Sequence, residues 1–138
     1  MAWTDKAVVG ICALVVAAWI IGKSGDGAGS SAPKESACAA GDLQCLGDKG
    51  IVAAGLRCRE PVERLALHDT KWTDGTLDTK FTRFRWRDKE AGVITFVGDK
   101  LMFQNGFGAF SPMVHECDLR LSDNQVLGVR AEPGRLQQ

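Results

Sequence analysis

The stretch from Val93 to Cys117, VITFVGDKLMFQNGFGAFSPMVHEC, constrains this chain more than any other. Phe, Val, Ile and Thr suit a pleated, half-buried surface, and Gly98-Asp99 and Asn105-Gly106 supply the backbone freedom that kinks or reverses a strand. Ile94 and Phe96 share one parity, Leu101 and Phe103 the other. A flip across Val97 to Lys100 means either a two-residue hairpin or one long strand with a bulge at Gly98, and both keep the four side chains on one face. The stretch ends on Cys117, which needs a partner. Cys58, on a helical stretch upstream, is the best candidate.

Of five cysteines, Cys12 lies in an apolar head, and Cys38, Cys45, Cys58 and Cys117 lie in the remainder. Four in a small domain behind a hydrophobic N-terminus read as two disulfides, because a small core benefits from covalent closure in an oxidising compartment. Three pairings are possible. Cys38 with Cys45 and Cys58 with Cys117 is favoured, the first being close in sequence and the second joining helix to sheet. A zinc site is the rival, but zinc knuckles place two cysteines about two to four residues apart, and no pair here is so spaced.

Ala7 to Gly22, AVVGICALVVAAWIIG, is 16 uncharged residues between Lys6 and Lys23. That is short against the roughly 20 residues of a spanning helix and close to a signal-peptide apolar region. No small-residue cleavage site follows, so an uncleaved signal anchor is expected, with the membrane entered through residues 7–22. Ile11 before Cys12 does not make a lipobox. Positive charges flank the segment on both sides and do not orient it; the cysteines place the C-terminal part outside the cytoplasm. Lys23 to Lys34, KSGDGAGSSAPK, has linker composition. The expected division is a membrane anchor over 1–22, a flexible linker with the Cys38/Cys45 loop over 23–47, and a small periplasmic α+β domain over 48–138.

Within that domain Gly50 to Asp69 is the expected helix, with Cys58, Pro61, Val62, Leu65 and Ala66 on one face. Pro61 either kinks it or starts a second helix. Lys80 to Asp88, KFTRFRWRD, alternates, with Thr82, Phe84 and Trp86 on one side and Arg83, Arg85 and Arg87 on the other. Asp88 to Gly92 reads as a hairpin loop, Asn105 to Ala109 as a turn, Ser122 to Gln125 as another, and Pro133-Gly134 as a stop. The fold class is therefore α+β, a Pro-kinked helix on a curved antiparallel sheet of four or five strands after an N-terminal transmembrane helix.

Charge excludes little, but what it excludes is useful. Lys plus Arg and Asp plus Glu each total 17, so no net field draws polyanions. The Arg83-Arg85-Arg87 ladder faces away from Phe84 and Trp86, which argues for a solvated face paired with acidic neighbours over a nucleic-acid groove. His68, beside Asp69, is expected at a helix end, where the dipole favours it. His115 shares a face with Cys117, but a disulfide-bonded cysteine is neither nucleophile nor ligand. No motif for nucleophilic, metal or phosphate chemistry is present, so the chain reads as non-enzymatic, with no cofactor and no metal. The Asn105-Gly106-Phe107-Gly108-Ala109 segment lacks the helix that phosphate cradling requires and reads as a tight turn with Phe107 packed beneath it.

Taken together, C-R-E-P-V-E-R-L-A from Cys58, G-V-I-T-F-V-G-D-K-L-M-F-Q-N-G-F-G-A from Gly92 and the cysteine on the following strand resemble small, N-terminally anchored bacterial envelope proteins of unknown function. The resemblance covers roughly residues 58–130 and implies a helix packed on a curved antiparallel sheet, without an activity. A weaker similarity of layout is to prophage superinfection-exclusion proteins, which block phage DNA entry at the inner membrane. The expected function is a membrane-tethered periplasmic module that binds an envelope or phage protein through Asn105, Gly106, Phe107 and Phe110 or through the Arg83, Arg85 and Arg87 face. A cytosolic zinc- or nucleic-acid-binding protein is the alternative from another class.

Overall fold

In the computed structural model, which describes residues 37–138, the helical half starts at Asp42, whose side chain accepts the Cys45 N–H at 3.1 Å. That is a helix N-cap bond, satisfying one of the amides that a first turn leaves unpaired. Helix α1 (Leu43–Arg57) follows, and a short α2 (Arg59–Glu63) comes after Cys58. Pro61 has no N–H to offer the carbonyl of Arg57, so the ladder breaks at Cys58 and restarts. The second of the two outcomes expected for Pro61 is therefore the one observed.

The helix begins at Leu43, inside the stretch expected to be linker, and regular helix ends at Glu63, so His68 sits in the loop beyond rather than at a helix end. The reason lies in the face that α1 buries. Gly47, Gly50 and Ala54 are its buried residues, a stripe too small to register as apolar periodicity. A Cβ on Gly47 would lie 2.3 Å from the Phe84 ring, and one on Gly50 2.8 Å from the ring of Phe96. Glycine here brings the helix close to the sheet. Gly55, by contrast, has open space around it. Gly55→Ala is therefore expected to stabilise by about 0.5–1 kcal/mol through helix propensity. Gly47→Ala should cost about 1–2 kcal/mol net, the overpacking outweighing the same gain; urea unfolding of the two variants checks the opposite signs.

The sheet comprises β1 (Thr70–Trp72), β2 (Arg83–Asp88), β3 (Val93–Gln104), β4 (Phe110–Arg120) and β5 (Gln125–Pro133). It is open and antiparallel, and β2 to β5 form a meander joined by short turns. Strand β3 pairs along one edge with β4 and along the other with both β2 and β1, which share that edge end to end. Of the two readings of Gly98-Asp99, the bulge is correct: Gly98 opposes His115 and Leu101 opposes Met113, so β3 carries one residue more than β4 over this interval. The bulge marks where the edge partner changes from β2 to β1. Strand β1 is too short for its pattern to be seen in the sequence.

Ile94, Phe96, Leu101, Cys117 and Leu119 point inward and join Ala54, Cys58, Val62 and Phe81 in the core, all of them fully buried. The disulfide Cys58–Cys117 runs through that core from the helix break to the middle of β4, with Cα atoms 6.1 Å apart. Cys38–Cys45 fastens the entering chain to the first turn of α1, 5.7 Å between Cα atoms. Both pairings agree with those favoured from the sequence. Among the described residues no helix is long and apolar enough to cross a membrane, and the expected anchor, Cys12 and the Gly/Ser linker lie outside the described residues.

Candidate interaction site at the hairpin tip

The β3–β4 turn is built around one side chain. Asn105 Oδ1 accepts the N–H groups of Phe107 at 2.9 Å and of Ala109 at 3.0 Å, an Asx-type turn. Two backbone bonds close the same loop, Asn105 N–H to Ala109 O at 2.8 Å and Gly108 N–H to Asn105 O at 3.1 Å. Gly108 takes φ +84°, a conformation that glycine adopts without strain. The consequence contradicts the expectation for Phe107. With Asn105 holding the loop from inside, Phe107 is not packed beneath it but stands 99% exposed at its apex.

Further exposed apolar side chains lie at the start of β4 and on the connection that approaches this end. Phe110 is 37% exposed, and Leu65 and Leu67, 41% and 95% exposed, lie on the connection into β1. That connection meets the tip: Gln104 N–H donates to Asp69 O at 2.9 Å, and a Cβ on Gly106 would lie 3.6 Å from His68 Nε2. Leu65 was expected on the buried face of the helix, because Leu-Ala-Leu after an amphipathic segment looks like more of the same helix, and Leu67 was not singled out; with helix ended at Glu63, both are exposed. Gly41, just before α1, is at the opposite end, where its Cβ would lie 2.8 Å from Lys89 in the β2–β3 turn. A strand of 12 residues separates the two ends, about 40 Å.

The arginine face is a different kind of surface. Arg85 donates to Glu116 at 2.8 Å, Arg130 reaches Glu116 at 2.9 Å and Asp118 at 2.8 Å, and Arg87 lies 3.8 Å from Asp118. Arg83 donates to the Gln137 carbonyl. Thr95 completes the network, its hydroxyl donating to Asp118 at 2.5 Å. Burial raises the proton affinity of both carboxyls, but hydrogen bonds from Arg85 and Arg130 to Glu116, and from Arg130 and Thr95 to Asp118, more than offset it. Both carboxyls are held below their ordinary values, and Arg130 is raised, chiefly by Asp118. This is the solvated face with acidic neighbours anticipated from the alternation. The guanidinium groups of Arg85 and Arg87 are matched by carboxylates within the sheet, which weakens their case as a phosphate-binding surface.

His115 is wholly buried beneath the connector between β1 and β2. Its Nε2 lies 3.1 Å from Lys80 O, and the Trp72 and Phe81 rings stand edge-on at 5.1 Å. Nδ1 has no hydrogen-bond partner, so neutral imidazole with the proton on Nε2, donating to Lys80 O, fits the site. Burial pushes the pKa below its ordinary 6.5; the carbonyl of Lys80, the nearby backbone of Met113 and the charge of Asp99 pull the other way, and Lys80 adds to the lowering. Cys117, on the same face, is bonded to Cys58, so the pair offers no nucleophile. Among the described residues no group of His, Cys, Asp and Glu is placed to hold a metal ion.

A pH dependence follows. The unfolded chain binds a proton at this histidine at higher pH than the folded chain, so its contribution to stability is complete above about pH 6.5 and is lost as pH falls below. Wild-type stability is expected to decline as pH falls below about 6.5, with a slope of up to about 1.4 kcal/mol per pH unit. Glu116 and Asp118, with lowered affinities, add their loss only at lower pH. Urea midpoints across this range for wild type and His115→Gln provide the check, the variant losing the slope.

Compared with protein-family models, with curated proteins and with solved structures, the chain matches none.

Proposed function

We propose that this protein is a non-enzymatic interaction module, tethered to the bacterial inner membrane by residues 7–22 and facing the periplasm, which docks an envelope or phage protein through the hairpin tip. The exposure of Phe107 on a loop pinned from inside carries the reading. A large apolar side chain carried on a backbone that is already fixed leaves only its own rotamers to order on binding, and an exposed aromatic anchor of this kind contributes disproportionately to a protein interface. Leu67 and Phe110 extend the apolar contact, and within the domain Gly41, ahead of α1, lies at the far end beside Lys89. Two disulfides fit an oxidising compartment.

The test uses the full chain in its native membrane with a photo-crosslinking residue at position 107. One envelope or phage protein is expected in the adduct, with none from the same probe at Leu127, half-exposed on β5. Phe107→Ser should weaken that complex tenfold or more while leaving the melting temperature unchanged. A tip probe that yields no specific adduct, or one unaffected by Phe107→Ser, defeats the proposal. Thiol alkylation during lysis tests the compartment separately: Cys12 alone should react before reduction.

A further inference from the structure

We propose that Asn105 is a self-modifying residue, converted within the folded hairpin tip to aspartate and isoaspartate by attack of the Gly106 backbone nitrogen on its side-chain carbonyl carbon. The loop presents each group that reaction needs. The nucleophile belongs to a glycine, so no side chain crowds its approach, and the Gly106 N–H is engaged in no hydrogen bond. The leaving group, the Asn105 side-chain NH2, is likewise unbonded and lies in an exposed residue, open to the water that hydrolysis consumes. The third requirement is the most telling. When the nitrogen adds to the amide carbon, negative charge develops on Oδ1, and that atom already faces the N–H groups of Phe107 at 2.9 Å and Ala109 at 3.0 Å. Two backbone donors aimed at one carbonyl oxygen supply the elements of an oxyanion hole and stabilise charge as it appears there.

The chemistry balances without an external reagent other than water. A bond forms between the Gly106 nitrogen and the Asn105 side-chain carbonyl carbon, the bond from that carbon to the NH2 group breaks, and the amide proton leaves with ammonia. The resulting five-membered imide is opened by water at either carbonyl, giving aspartate when the backbone linkage is kept and isoaspartate when it passes through the side chain. The carboxylate of the aspartate product keeps both N–H partners and binds them as an ion, whereas isoaspartate places its carboxylate on the α-carbon and gives up that geometry. Either carboxylate sets a negative charge beside Phe107 and Phe110. If the tip docks a partner as proposed above, conversion would weaken that contact; the modification itself does not depend on that reading.

Purified full-length protein is incubated at neutral pH, and the peptide carrying Asn105 is followed by mass spectrometry with fragmentation that separates aspartate from isoaspartate. The control is the same chain reduced and unfolded in urea. The folded protein is expected to convert at least as fast as the unfolded one, because the oxyanion donors exist only in the fold. Gly106→Ala is expected to slow conversion several-fold in the native state with an unchanged melting curve, since a Cβ there meets only His68, at ordinary contact distance. An Asn105 that stays intact in the folded chain while the unfolded chain converts overturns the proposal, as does a Gly106→Ala variant that converts at the wild-type rate. All readouts are made on the isolated protein, so failure to find a docking partner leaves this result unaffected.

Discussion

Replacing Cys58 and Cys117 together by alanine should lower the unfolding free energy by about 4 kcal/mol, the largest effect expected of any pair of side chains here. The bridge spans a sequence separation of 59, and closing a loop of that length removes entropy from the unfolded chain that nothing else in the fold recovers. Both sulfurs are wholly buried among Ala54, Val62, Phe96 and Leu119, so their removal also leaves a void beneath the helix break. For a unit of about 100 residues, such a loss corresponds to a fall in melting temperature of roughly 20 °C. Cys38→Ala with Cys45→Ala provides the contrast. Its separation is 7 and its sulfur-bearing residues are partly exposed, so the same model gives about 2 kcal/mol. Thermal and urea unfolding of the two double variants measures both, and equal losses would contradict the assignment of Cys58–Cys117 as the principal cross-link.

Gly98→Ala should be the most damaging exchange of a single glycine, at about 3 kcal/mol. A Cβ at this bulge position would lie 2.2 Å from the Lys80 carbonyl oxygen and 2.8 Å from His115 Nε2. The first of these is backbone and cannot rotate away, so the cost sits at the upper end of what overpacking produces. Relief requires the connector between β1 and β2 to lift from β3, which breaks the His115 bond to Lys80 and disturbs Phe81 and Trp72 above it. Hydrogen exchange should therefore show the loss as local, with amides such as Thr73 and Thr82, bonded to Lys100 and Val97 of β3, becoming exchangeable first. Faster exchange spread evenly over α1 and β5 would place the strain elsewhere.

The legible parts of the fold were those written in large side chains and turn residues. Alternation in Arg83–Asp88, the run from Val93 and the turn residues around Gly92, Asn105 and Asp123 identify the meander because each states a preference within a few residues. The start of α1 was hidden for the opposite reason. A helix that approaches a sheet through Gly47 and Gly50 has no apolar stripe at that end, and glycine carries a low helix propensity, so local signals pointed away from helix. Phe107 was misplaced because an exposed aromatic in a glycine-rich turn cannot be told from a buried one until the Asn105 bonds are known. Leu65 and Leu67 were absorbed into a helix that had already ended at Glu63.

By itself, then, the sequence determined the α+β class, the antiparallel meander and the favoured cysteine pairing, since these follow from period, turn chemistry and spacing along the chain. Only the tertiary structure decided that β1 and β2 share one edge of β3, that Gly98 is a bulge, that His115 lies neutral beneath the connector, and that the connection carrying Leu67 approaches the end where Phe107 and Phe110 lie. Those features depend on contacts between residues distant in the chain, where space, register and desolvation select among arrangements that local preference leaves equal.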